Sequence, residues 1–75
     1  MAKSKDKYWQ YRVVISIAKA DRDLTFEDIG ISLGISERTV RRYFDDPGRM
    51  DLRTMSRLHK AIGLDAATAR SVLPM

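Results

Sequence analysis

Helix start and stop signals bracket the apolar segments of this chain so closely that a bundle of short helices is the natural fold for it. Thr25 can cap a helix, with Asp28 three residues on as its reciprocal partner. Acidic residues in that first turn also suit the helix dipole. Gly34 stops the segment, because glycine reaches the left-handed conformation without strain. Ser36 can cap the next helix, running from Glu37 to about Asp45, and Asp46-Pro47-Gly48 then marks a turn. Asp51 can cap a fourth helix closed by Gly63, and Asp65 a short fifth one ended by Pro74.

Apolar spacing fills in the faces. Tyr8, Tyr11, Ile15 and Ala18 recur at three, four and three residues, which predicts a first helix over roughly residues 6–20. Val13 to Ile17 also reads as a strand, since β-branched residues favour sheets, but the chain offers no second such run to pair with it. Phe26, Ile29 and Leu33 line the second helix, Val40 and Tyr43 the inner side of the third, and Leu52, Met55, Leu58 and Ile62 the fourth. Ala66, Ala67, Ala69, Val72 and Leu73 supply the fifth. The expected architecture is all-α: five helices in one compact domain over residues 8–73, preceded by a basic tail at 1–7.

At 75 residues the chain is near the lower limit for a self-sufficient core, and it has no cysteine to brace one. No apolar run approaches a membrane span, and the start is basic and mixed rather than an apolar leader. A soluble cytoplasmic protein is the expectation. The formal charge is +4, from fourteen Lys and Arg against ten Asp and Glu. Its distribution says more than its total. Lys3, Lys5, Lys7, Arg12 and Lys19 face only Asp6 in the first twenty residues, and residues 21–35 are acidic. From Ser36 onward Arg38, Arg41, Arg42, Arg49, Arg53, Arg57, Lys60 and Arg70 outnumber the acids. A polyanion partner and an ordinary soluble surface both fit that balance.

The decisive segment is the pair of short helices separated by Gly34-Ile35-Ser36. Gly34 supplies the tight turn, Gly30 one turn earlier permits close approach, Val40 fills the angle, and Ile35 covers the turn. Such an arrangement holds the third helix out from the body, where its outer face can enter a major groove. The stretch from Leu24 to Phe44 resembles the Cro/cI-like (Xre-type) helix-turn-helix regulators. Leu24, Ile29, Leu33, Ile35, Val40 and the turn Gly34 fall where that family places them without a gap. The segment Met55 to Leu64 looks like that family's fourth helix. The likeness spans roughly residues 8–73, with the helix-turn-helix at 25–45. It implies a lambda-repressor-like five-helix domain that binds operator DNA, often as a dimer, as small phage or prokaryotic regulators do. The chain departs from the pattern in three places: Gly30 replaces a usual alanine, Phe26 replaces a glutamine that often contacts DNA, and Asp21-Arg22-Asp23 lacks the glycine that commonly ends the first helix.

Side-chain direction then nominates contacts. Glu37, Arg38 and Arg42 stand where base edges are normally met, with Ser36 and Thr39 nearby. Arginine can donate two parallel bonds to guanine, and glutamate can accept from cytosine. These residues also read as a solvated face carrying a Glu37–Arg41 pair, with Arg41 at the helix edge. Ser36 can be cap and phosphate ligand at once, and the amides from Thr25 to Glu27 can hold a second phosphate, opposed by Glu27 and Asp28. Arg49 and Arg53 flank the fourth helix within reach of phosphates. Lys3, Lys5 and Lys7 form either an arm along the backbone or a solubilising tail.

Other residues point to no chemistry. Tyr8, Trp9 and Tyr11 suit the core and surface of the first helix better than a base-stacking platform. His59 stands alone as a helix-surface residue without metal-ligand partners. No nucleophile–base–orienter set or phosphate loop is discernible, so neither an enzyme nor a cofactor is expected. The functional expectation is sequence-specific duplex-DNA binding for transcriptional control, as a homodimer joined through Leu64, Val72 and Leu73 on a near-palindrome with half-sites about 34 Å apart. The alternatives are a helix-turn-helix reused for protein interaction, to which Ile31 and the apolar C-terminus are suited, and non-specific architectural binding.

Overall fold

The computed structural model describes residues 7–74. Among them are five α-helices: α1 Trp9–Asp21, α2 Phe26–Leu33, α3 Glu37–Asp45, α4 Leu52–Ile62 and α5 Ala66–Val72, with a 3-10 turn Pro47–Arg49 between α3 and α4. No described residue lies in a strand, so Val13 to Ile17 is helical. The fold is an all-α bundle.

Side-chain caps set four of the five starts. The Thr25 hydroxyl accepts from the Asp28 amide at 3.0 Å, while the Asp28 carboxylate accepts from the Thr25 amide at 2.9 Å. Ser36, Asp51 and Asp65 accept from the amides of Thr39, Thr54 and Thr68. Hydrogen bonds to the charged form hold Asp51 below the ordinary carboxylate range through Thr54, and Asp65 through Thr68. α1 has no side-chain cap, and it begins at Trp9 rather than near residue 6. It also runs on to Asp21, because the chain leaves it through Asp23 at φ +54°. There Leu24 donates to the Lys19 carbonyl at 3.1 Å and Asp23 to the Ala20 carbonyl at 3.0 Å. α4 ends in the same pattern through Gly63 at φ +71°. Asp23 therefore fills a position that glycine occupies more easily.

The core is built from pairs of turns on each helix. Tyr11 and Ile15 come from α1, Ile29 and Leu33 from α2, Val40 and Phe44 from α3, and Met55, Leu58 and Ile62 from α4; Met50 joins them from the connection. Two expectations need correction. Phe44, not Tyr43, is the deep residue of α3: both lie near the face of Val40, and it is Phe44 that meets α2, packing on Phe26, while Tyr43 is half-buried beside it. Leu52 does not share the inward face of α4 but is 82% exposed, lying about 120° around the helix from Leu58. Ala69 is buried, and Leu64, Val72 and Leu73 pack partly against the core. Much of the C-terminal apolar surface is thus used within the chain's own core.

His59 is not a plain surface residue either. It is half-buried, its ring packs edge-on against Tyr11 at 5.6 Å, and its Nε2 lies 2.6 Å from the Tyr11 hydroxyl. Burial pushes the Tyr11 phenol up and the His59 imidazole below its ordinary 6.5, which favours the neutral form of each; the imidazole tautomer sets which of the two atoms donates. The bond ties α1 to α4 at the centre of the bundle. No helix among the described residues is long and apolar enough to cross a membrane.

Candidate nucleic-acid interface

The relation between α2 and α3 is fixed by backbone geometry at two glycines. Gly34 sits at φ +75°, and Ile35 donates back to the Gly30 carbonyl at 2.9 Å, closing the turn. Gly30 is buried where α2 meets that turn, and a Cβ there would stand only 2.7 Å from the Ile35 carbonyl oxygen. Ser36 then caps α3 directly, so three residues separate the two helices. Val40 and Phe44 anchor α3 inward.

Helical rotation from Val40 and Phe44 determines what α3 shows. Arg38 and Arg42, four residues apart, lie about 140° and 180° from the centre of the buried face. Both are exposed, and neither has an ion-pair partner among the described residues. Two cations four residues apart therefore share the outermost face of the helix. Glu37 and Arg41 occupy the flank towards α2. Arg41 donates through Nε and Nη2 to Glu37 Oε2, at 3.2 and 2.9 Å. The guanidinium also lies 4.8 Å from the centre of the Phe26 ring, to which the Lys19 ammonium approaches at 4.5 Å. Phe26 is half-buried and packs edge-on to Phe44 at 5.1 Å.

The other nominated residues divide. The Ser36 hydroxyl accepts from the Thr39 amide and lies 2.9 Å from the Thr39 hydroxyl, so these two groups serve the cap. Thr39 is half-buried and sits beside the cap, not on the outer face. Thr25 and Asp28 satisfy one another, which removes the Thr25 amide from any anion site at the start of α2. Arg49 is exposed and bonded to Asp46 at 3.2 Å; Arg53 is exposed on the first turn of α4. Lys7 is exposed beside the Tyr8 ring, whereas Lys3 and Lys5 lie outside the described residues. Sequence reasoning missed the Phe26–Arg41 contact. The signal for it was the aromatic at a position the family pattern fills with glutamine, beside an i,i+4 acid–base pair. No group of three or more His, Asp or Glu among the described residues is placed to hold a metal ion.

Comparison of the chain with protein-family models, with curated proteins and with solved structures finds no match.

Proposed function

We propose that this chain is a cytoplasmic, non-enzymatic DNA-binding regulator that places α3 in the major groove of a duplex and reads base edges with Arg38 and Arg42. The observation that carries the reading is the pair of arginines, without ion-pair partners among the described residues, on the outermost face of a helix held at a fixed angle by the Gly30–Ile35 contact. α3 is nine residues long, and an α-helix with its side chains is about 10–12 Å across, which suits a major groove about 12 Å wide. In this reading Ser36 caps α3 and offers its hydroxyl near the phosphates, while Arg53 and Arg49 meet the backbone. Two copies bind a near-palindrome. Because Leu64, Val72 and Leu73 are already partly packed within the subunit, the dimer is weak alone and forms on DNA.

A second reading, a helix-turn-helix used to bind another protein, is favoured by exposed apolar residues. Ile31 on α2 is 76% exposed, and Trp9, Val13 and Ile17 make a half-exposed stripe along α1. Selection of bound sequences from random duplex DNA separates the possibilities. Enrichment of one motif is the expected result. Flat recovery points to architectural binding, and no recovery at low salt points to the protein-interaction module.

A further inference from the structure

Five side chains meet where the first turn of α2 comes against α3 and the end of α1, and they carry more order than an exposed surface requires. Glu37 gives a single oxygen to two N–H groups of Arg41, and Phe26 lies against the face of the same guanidinium. Phe26 is itself held by Phe44 in the core, and Lys19 takes a further place over its ring. The side chains of Arg41 and Glu37 remain 60% and 47% exposed. An ion pair so open to water contributes little to folding. Its consequence lies at the surface: of three arginines on α3, two have no ion-pair partner among the described residues and one is neutralised and stacked.

We infer that Glu37, together with the Phe26 ring, holds Arg41 back from phosphate contact and so sets the sequence-independent part of the affinity for DNA; the inference rests on the DNA-binding reading above. A phosphate that would take Arg41 must compete with a carboxylate already bonded to it and is repelled by that same carboxylate. Arg41 then adds nothing to counterion release, while Arg38 and Arg42 keep their full charge. Glu37 and Phe26 are positioning residues here, acting through Arg41.

The test is the salt dependence of binding to a scrambled duplex, for the wild type and for Glu37→Gln, Arg41→Gln and the double variant. Each changes exposed side chains only. The wild type and Arg41→Gln should share one slope, because the withheld arginine contributes none. Glu37→Gln should steepen the slope by about 0.9, the value of one phosphate contact, with a gain of roughly threefold at 50 mM salt relative to 200 mM. The double variant should return to the wild-type slope, which separates release of Arg41 from mere loss of an acid. A shallower slope for Arg41→Gln alone would overturn the inference, since Arg41 would already be meeting phosphate. So would an unchanged slope for Glu37→Gln, or a loss on the selected site alone, which would make Glu37 a base reader. A wild type that binds neither the selected nor the scrambled duplex would instead remove the DNA-binding reading itself.

Discussion

Replacing Gly30 by alanine opposes two effects of known size. Alanine favours a helix interior over glycine by about 1 kcal/mol, so propensity alone would stabilise α2. The new Cβ, however, would stand 2.7 Å from the Ile35 carbonyl oxygen. That obstacle is backbone, and it cannot swing aside as a flexible side chain would. Relief requires α2 to move off the turn by about half an ångström, which strains the 2.9 Å bond from Ile35 to the Gly30 carbonyl and the Ser36 cap beyond it. Overpacking of this kind costs about 1–3 kcal/mol. The balance is a loss of about 1 kcal/mol, or a fall of about 4–8 °C in Tm for a domain of this size. Gly34→Ala makes the complementary comparison. Nothing lies within 4 Å of its added methyl, so its loss comes from φ +75° alone, about 1 kcal/mol, without displacing α2. Thermal and urea unfolding of both variants read the stability. A Gly30→Ala protein with a Tm equal to or above the wild type would refute the close-approach argument, because propensity would then have won unopposed.

Two further outcomes follow from single residues. Asp23→Gly should raise stability by up to about 1 kcal/mol, since the residue at φ +54° would no longer carry a Cβ; an unchanged or lower Tm would show that Asp23 has compensating contacts. The folded His59 binds its proton less readily than the unfolded chain does, so its contribution to stability is complete above 6.5 and declines as pH falls through and below that value. Urea unfolding from about pH 8 to about pH 5 should show this decline in the wild type. It should be absent in His59→Gln, whose amide can donate to or accept from the Tyr11 hydroxyl; equal slopes would contradict the assignment.

The elements were largely legible because their signals are local. Thr25, Ser36, Asp51 and Asp65 each act on an amide three residues on, and Gly34 and Gly63 each fix their own φ. What stayed hidden depends on contacts between elements. Tyr43 and Phe44 are adjacent and both aromatic, and only the angle at which α3 meets α2 and α1 decides which of them goes inward. The Tyr11–His59 bond joins residues 48 apart, and no periodicity reports it. On the candidate interface, helical spacing nominated Glu37, Arg38 and Arg42 together, with Glu37–Arg41 as a candidate pair; Arg38 and Arg42 are the exposed outer pair, whereas Glu37 is bonded to Arg41 on the flank. The stacking of Arg41 on Phe26, with Glu37 bonded to it on the flank towards α2, needed the approach of α2 to α3.

The claim that α3 reads DNA through Arg38 and Arg42 is tested most directly by titrating Arg38→Ala and Arg42→Ala against the selected duplex and a scrambled duplex of the same length and composition. Both side chains are exposed, so neither variant should unfold the domain. A lost base contact should weaken binding to the selected duplex by about 1–3 kcal/mol and change the scrambled duplex far less. If both variants lose the same affinity on the two duplexes, the arginines hold phosphates and α3 is not the reader.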